Sequence, residues 1–268
     1  MKLLSMSPGI SATRPPASIG LRIETMGGLR VWRDGTEIPA SAWGREKALA
    51  LFEFFITMRR RPLQKEAIID RLWPELDADA GDRDFRVALN ALQKALEPER
   101  GRRGESRFIR REGLTYALDM SAAQVDADEF EALLAQAHTH YAQDTLRAIE
   151  TYKQAVALYR GDYLPDRLYA DWTSAERERV QTLALGAITR LANLLLTRDT
   201  LESMRLARRV LAIEPAWEDA YRVEMRAHLA QGNPAMAVKT YRQCERVLRE
   251  EFGLEPLPET RGLVEALL

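Results

Sequence analysis

The sequence predicts an α+β winged helix-turn-helix N-terminal domain followed by an all-α, tetratricopeptide-like helical domain. Three observations carry this reading. In the first 120 residues, short β-like runs, three helical stretches and a β-hairpin follow one another. From Val125 onward, apolar residues recur at helical spacing almost without interruption. The charge also divides: residues 1–124 hold 21 Lys and Arg against 17 Asp and Glu, while residues 125–268 hold 18 against 23. The expected organisation is a flexible Pro/Ser-rich leader at 1–18, the winged helix-turn-helix at 19–120 and the helical domain at 121–268.

Each element has a local cause. Leu21 to Glu24 and Gly28 to Arg33 read as short strands, and Asp34-Gly35 is a hairpin dipeptide leading to a third run, Thr36 to Pro39. Ser41 is the expected N-cap of a helix reaching Met58, with Ala48, Leu51, Phe52 and Phe55 on its inner face. Arg59 to Pro62 break it. A second helix runs from Leu63 to Trp73, where Pro74 stops it. The acidic stretch Glu75 to Gly81 reads as a loop, and a third helix spans Asp82 to Leu96, ended by Pro98. After a polar loop, Glu99 to Ser106, the runs Arg107 to Arg111 and Leu114 to Asp119 form a hairpin around Glu112-Gly113.

In the second half, Leu146, Ile149, Tyr152, Val156 and Tyr159 form one apolar stripe, ended by Gly161. Further helices are expected from Trp172 to Leu196, Leu201 to Ile213, Trp217 to Gln231 and Pro234 to Glu251. Ala212-Ile213-Glu214-Pro215 and Gly253-Leu254-Glu255-Pro256 each close a helix, 41 residues apart. With the Trp217…Gly232…Ala237…Tyr241 spacing, this looks like tetratricopeptide helix pairs, stacked as hairpins rather than as a regular array.

Composition removes several function classes. With 46% hydrophobic and 29% charged residues, the chain is not disordered as a whole. No uncharged run is long enough for a membrane-spanning helix. A single cysteine, Cys244, allows neither an intrachain disulfide nor a cysteine-based zinc site, and a reducing cytoplasm is the expected compartment. The N-terminus lacks the apolar core of a secretory signal. The net charge of −1 taken alone argues against a nucleic-acid binder. Splitting the chain reverses that reading, and the segment Gly81 to Arg111, with nine bases, including Arg100, Arg102 and Arg103, against five acids, is a candidate nucleic-acid footprint, the alternative being a solvated surface loop.

The third helix is where those bases acquire a direction. Phe85, Ala88 or Leu89, Leu92 and Leu96 line one face and must pack inward. The opposite face then carries Arg83, Arg86, Asn90 and Lys94, with Val87 and Gln93 at its margins. Such a helix can enter a major groove, where Arg donates in bidentate fashion to guanine and Asn pairs with adenine. The hairpin residues Arg107, Arg110 and Arg111 sit where a wing reaches phosphate or the minor groove. Arg45 and Lys47, at the start of the first helix, are placed to hold a phosphate.

A resemblance rests on these same segments. Gly28-Leu29-Arg30-Val31 before Asp34-Gly35, Arg45-Glu46-Lys47-Ala48-Leu49, Leu72-Trp73-Pro74-Glu75, Asn90-Ala91-Leu92-Gln93-Lys94-Ala95-Leu96 and Gly113-Leu114-Thr115-Tyr116-Ala117-Leu118 resemble the response-regulator-type winged helix of the antibiotic-regulatory-protein (SARP) family. The second half is similar to the bacterial transcriptional activator domain that follows in that family. It does so through Val125-Asp126-Ala127-Asp128-Glu129-Phe130, Ala155 to Asp162, the Trp172…Glu176-Arg177 segment, and Tyr241 with Leu248 to Pro256. The resemblance implies a transcriptional activator that binds direct repeats in double-stranded promoter DNA, recruits RNA polymerase and self-associates on DNA. It also implies that the third helix reads bases and the hairpin is the wing. The chain departs from the family pattern at Gln93, where Arg is usual, and at Ala91, where a polar residue is common.

No catalytic constellation appears, and neither an enzyme nor a cofactor is expected. His138 and His140 stand two apart on a predicted helix and do not share a face, so they read as surface residues rather than a metal pair. Asp126 and Asp128 read as helix-start residues. Trp32, Trp43, Trp73, Trp172 and Trp217 read as core packing, and Cys244 as a lone semi-buried thiol. Two alternatives remain open at this level: a helical-repeat protein-interaction module, and the output domain of a larger signalling ATPase. The chain itself carries no phosphate-binding Gly-x-x-x-x-Gly-Lys-Ser/Thr loop.

Overall fold

The structure is a computed structural model that describes residues 20–101 and 104–267. The expected leader at 1–18, and Arg102 and Arg103 of the basic segment, lie outside the described residues. The chain is mostly helical, with small sheets confined to its N-terminal part. It divides into two compact units: residues up to 23 with 30–124, and residues 24–29 with 125–268.

The elements of the first unit follow in the order β1 (Leu21–Glu24), β2 (Arg30–Arg33), β3 (Thr36–Glu37), α1 (Glu46–Thr57), β4 (Leu63–Gln64), α2 (Lys65–Leu72), α3 (Ala78–Leu96), β5 (Ile109–Glu112), β6 (Thr115–Leu118) and β7 (Ala123–Val125). One sheet has the strand order β3-β2-β1-β7, the other β4-β6-β5. Asp34 and Gly35 both take positive φ, and Arg33 pairs with Thr36 across them, as the hairpin dipeptide requires.

Several strands are shorter than the sequence implies, β2 starting at Arg30, β3 ending at Glu37 and β5 starting at Ile109, and three further boundaries differ in ways that shape the unit. Ser41 does not cap the first long helix. It lies in a single 3-10 turn, Ala40–Trp43, after which Gly44 takes φ 63 and the chain restarts as α1 at Glu46. The third helix begins four residues early, because Asp77 caps it by accepting from the Ala80 amide and Asp79 suits its positive end. Gly81 is therefore helical and buried; a Cβ there would fall 2.5 Å from Cγ2 of Ile69, so α2 and α3 meet at a position only glycine fits. Leu63 and Gln64 form β4 rather than helix and pair with Tyr116 and Thr115 of β6, which turns the hairpin into a three-stranded sheet. Two-residue strands such as this, and the short β7, leave no periodicity to read.

The unit's core gathers the predicted stripe. Ala48, Leu51, Phe52 and Phe55 of α1 are buried, as are Ile68 and Ile69 of α2 and Phe85, Ala88, Leu92 and Leu96 of α3. Trp43 stacks on Phe52, and Phe85 meets Tyr116 edge-on at 5.0 Å, which fixes α3 against β6. Trp43 and Trp73 are buried; Trp32, Trp172 and Trp217 are only half-buried.

The second unit is helical: α4 (Asp126–Tyr141), α5 (Thr145–Leu158), α6 (Asp171–Leu195), α7 (Thr200–Ile213), α8 (Glu218–Ala230), α9 (Pro234–Phe252) and the short α10 (Pro258–Arg261). Helices adjacent in sequence pack on each other. The second helix of each successive pair starts at an Asx cap: Asp144 before α5, Asp199 before α7 and Asn233 before α9, each accepting from amides of the first turn. Ile149, Tyr152, Val156 and Tyr159 are buried, but Leu146 is 59% exposed, because it stands in the first turn of α5, outside the packed stripe. That helix also ends at Leu158, before Gly161. Asp126 does more than start a helix. Its buried carboxylate accepts from the Thr25 amide (2.9 Å), the Thr25 hydroxyl (2.6 Å) and the Met26 amide (3.1 Å), and pairs with Arg160 at 3.2 Å. Cys244 is fully buried between Tyr221 and Leu248, and burial pushes its thiol pKa up to about 12, an inert thiol.

Candidate nucleic-acid interface

The inner residues of α3 are fixed by the core, and that decides what the outer face can be. Arg83, Arg86, Val87, Asn90 and Lys94 are all exposed on it. Arg83 and Lys94 have no bonded partner among the described residues. Arg86 donates to Asp82 one turn earlier (3.0 Å), a solvent-screened i,i+4 pair that adds little stability and is easily exchanged. Gln93 is half-buried and accepts from Arg100 at 2.7 Å, so it tethers the loop after α3.

Across from this face stands the hairpin of β5 and β6. Between them lies a cleft of about 740 Å³, lined on one side by Arg86, Leu89 and Asn90 and on the other by Arg110, Arg111 and Leu114. The register pairs Arg111 with Tyr116, and the Arg111 guanidinium lies 5.5 Å from the Tyr116 ring while its Nε donates to the Gly113 carbonyl at 3.0 Å. Arg110, its neighbour on the strand, lines the same cleft and is exposed, with its guanidinium 3.9 Å from Asp119. Arg107 precedes β5 instead of belonging to it. Its amide donates to Glu97 (2.8 Å), and its guanidinium stands 3.6 Å from Asp34.

The start of α1 is less free than its sequence implies. Arg45 is the exposed residue before the helix, but Lys47 is bonded to Asp84 of α3 and sits 5.3 Å from the Trp73 ring. Arg45, Lys47, Asp84 and Val87 share a recess of about 400 Å³. Hydrogen bonding from Lys47 holds the Asp84 carboxyl below its usual value, and Lys65 does the same for Asp82. In return, the bond to Asp82 raises Lys65.

Sequence reasoning did not place Lys65, Arg100, Leu114 or Tyr116 among the contact residues, yet all four line the cleft between α3 and the hairpin. Arg100 had a visible signal in its basic segment. Lys65 had none, because its place depends on β4. Among the described residues no group of three His, Cys, Asp or Glu is arranged to hold a metal, and no helix is long and apolar enough to cross a membrane.

Comparison with known proteins adds a context to this geometry. Residues 125–268 match the family described as the bacterial transcriptional activator domain. The regulatory protein AfsR of Streptomyces coelicolor is 26% identical over 262 residues, 97% of this chain and 25% of the relative. The AfsR of Streptomyces griseus is 25% identical over 256 residues, 95% of this chain and 25% of the relative. The chain thus spans about a quarter of the length of the curated relatives it matches. Among solved structures, Mycobacterium tuberculosis EmbR in complex with a low-affinity phosphopeptide superposes with a TM-score of 0.78 at 20% identity, over 92% of this chain and 64% of that one, a likeness of fold.

Proposed function

The chain belongs to the bacterial transcriptional activator domain family, as a transcriptional regulator of the antibiotic-regulatory-protein type, and we propose that it acts by binding promoter DNA sequence-specifically through its first unit and contacting RNA polymerase. The observation that carries the reading is the outward basic face of α3, set across one cleft from the arginines of β5. In this reading the first unit is a winged helix-turn-helix, and Arg83, Arg86, Val87, Asn90, Gln93 and Lys94 face the major groove. Arg45, Lys47, Arg107, Arg110 and Arg111 contact phosphates or the adjacent minor groove. The division of labour follows from chemistry: Arg and Asn side chains on a helix read base edges, while strand and cap residues fix register on the backbone. The helical unit, with its tetratricopeptide-like hairpins, holds protein partners and supports self-association on direct repeats.

The test is binding to double-stranded fragments selected from genomic DNA, followed across a salt series. Specific retardation that weakens linearly in log salt is the expected result. Absence of any retardation at low salt would remove the DNA-binding reading and leave the helical unit as the working part. The spacing of selected half-sites also reports how copies arrange on DNA.

A further inference from the structure

The helical unit has a cleft of its own, about 540 Å³, between α6 and α8. Within the usual size range for ligand pockets, it is lined by a cluster of cations in a part of the chain where acids outnumber bases. Arg190 stands at its mouth with its guanidinium 5.5 Å from the Tyr141 ring and no carboxylate partner among the described residues. Arg226, from α8, reaches only the Asn193 amide oxygen at 3.4 Å. Arg222, one turn before Arg226, is by contrast occupied by Glu218, Asp219 and the Thr260 hydroxyl. Arg190 and Arg226 both line the cleft without a carboxylate partner.

A second, independent observation comes from α6. Gly186 is an interior helix residue at ordinary φ that lines the cleft, and a Cβ built on it would meet nothing within 4 Å. Neither backbone conformation nor packing within the unit calls for glycine there, and glycine is less stable than alanine inside a helix. Gly186, Arg190 and Asn193 are spaced 4 and 3 apart, on one helix face. The cleft is therefore lined by an open glycine position, by two guanidiniums without a carboxylate partner, and by the apolar Leu194, Val223 and Leu257.

We infer that this cleft binds an acidic peptide segment of a protein partner, with carboxylates on Arg190 and Arg226 and an apolar side chain over Gly186. Guanidinium forks match carboxylates geometrically, and such charge-assisted bonds are the strong ones. A duplex is the poorer fit. Its dense phosphate charge would meet Asp219 and Glu259 in the same cleft and the net negative charge of residues 125–268 around it. The inference stands on the helical unit alone and does not depend on DNA binding by the first.

The test uses the full chain and a fluorescein-labelled hexapeptide of alternating Asp and Leu, read by anisotropy, with the matched Asn/Leu peptide as control. The acidic peptide is expected to bind and the neutral one to bind about tenfold or more weaker. Arg190→Gln and Arg226→Gln should each weaken binding by about tenfold. Gly186→Leu should block the cleft, while Gly186→Ala should keep binding and raise the melting temperature. Equal binding of the two peptides, or unchanged binding in both arginine variants, would overturn the inference. So would displacement of the peptide by inorganic phosphate or a short duplex at equal concentration, which would mark a general anion site.

Discussion

In the first unit, Arg83 and Lys94 stand unbonded on the outer face of α3 and Arg86 holds only an exposed partner one turn away. In the second, Arg177 donates to the carbonyls of Tyr163, Arg167 and Leu168 and to the Thr173 hydroxyl, fixing the connection between α5 and α6. Arg179 spans Glu131 and Glu176, and Arg208 is bonded to Glu224. The same residue type thus braces a loop or a helix pair at some positions and stands available at others, and these arginines of α3 and α6 are clear cases of each. A count of bases, which gave two nearly cancelling totals, could not make that distinction; partners do. The net charge of −1 is an average over these two kinds of arginine.

The contrast can be broken first at the level of folding. Phe85 is fully buried and holds α3 on Tyr116, so Phe85→Ala should cost the first unit about 3–5 kcal/mol. Denaturant unfolding of the full chain should then show an early transition that leaves the helical signal of the second unit in place. Loss of both signals together would mean that the units unfold as one block.

The mirror experiment is Arg177→Ala. It leaves the carbonyls of Tyr163, Arg167 and Leu168 without that donor, and about 2–3 kcal/mol of helical-unit stability should go with it. DNA affinity should stay at the parent value, since nothing in the α3 face changes. An unaltered unfolding curve would show that the solvent replaces this arginine without loss, and the assignment of structural work to it would fall.

What the sequence revealed and what it hid follow the same division. The inward stripe of α3 was legible because four apolar residues at helical spacing leave only one face for Arg83, Arg86 and Asn90. The long helices α6 to α9 were legible for the same reason, to within a residue at most ends. Hidden were the facts that depend on a distant partner. Lys47 looks free in sequence and is held by Asp84, 37 positions away. Lys65 lines the cleft only because the two-residue strand β4 pairs with β6. Asp126 looks like an ordinary helix-start acid and instead gathers four bonds from Thr25, Met26 and Arg160. Local periodicity is written along the chain; long-range ion pairs are not.

Within the first unit the comparison sharpens into base reading against phosphate contact. Arg86→Ala should cost about 1–3 kcal/mol of affinity for the selected site and relax preference at one position. Arg110→Ala, on the strand, should weaken all sequences alike and lower the salt slope by about 1. Binding of a panel of single-base site variants at two salt concentrations separates the two outcomes. If Arg86→Ala kept the parent's preferences, α3 would not be the reading helix.

The smallest effect concerns the bases that are already paired. Asp84 and Asp82 are held below the ordinary carboxylate value of 3.8 by Lys47 and Lys65. A depressed carboxylate adds stability that is complete above its unfolded pKa and is lost as pH falls through the folded one. The contribution of both pairs should therefore be intact at neutral pH and disappear below pH 3.8, while that of Lys65, raised above 10.5, is lost only in strong alkali. Lys47→Met should flatten the acid decline of the first unit relative to the parent and leave the helical unit's decline alone; parallel curves would show that the pair carries no stability. Asp84→Asn makes the converse change. It releases Lys47 beside Arg45 in the α1 recess, so the salt slope of DNA binding should rise by about 1. A slope that did not move would mean that Lys47 never reaches a phosphate, and would confine the contact surface to α3 and the hairpin.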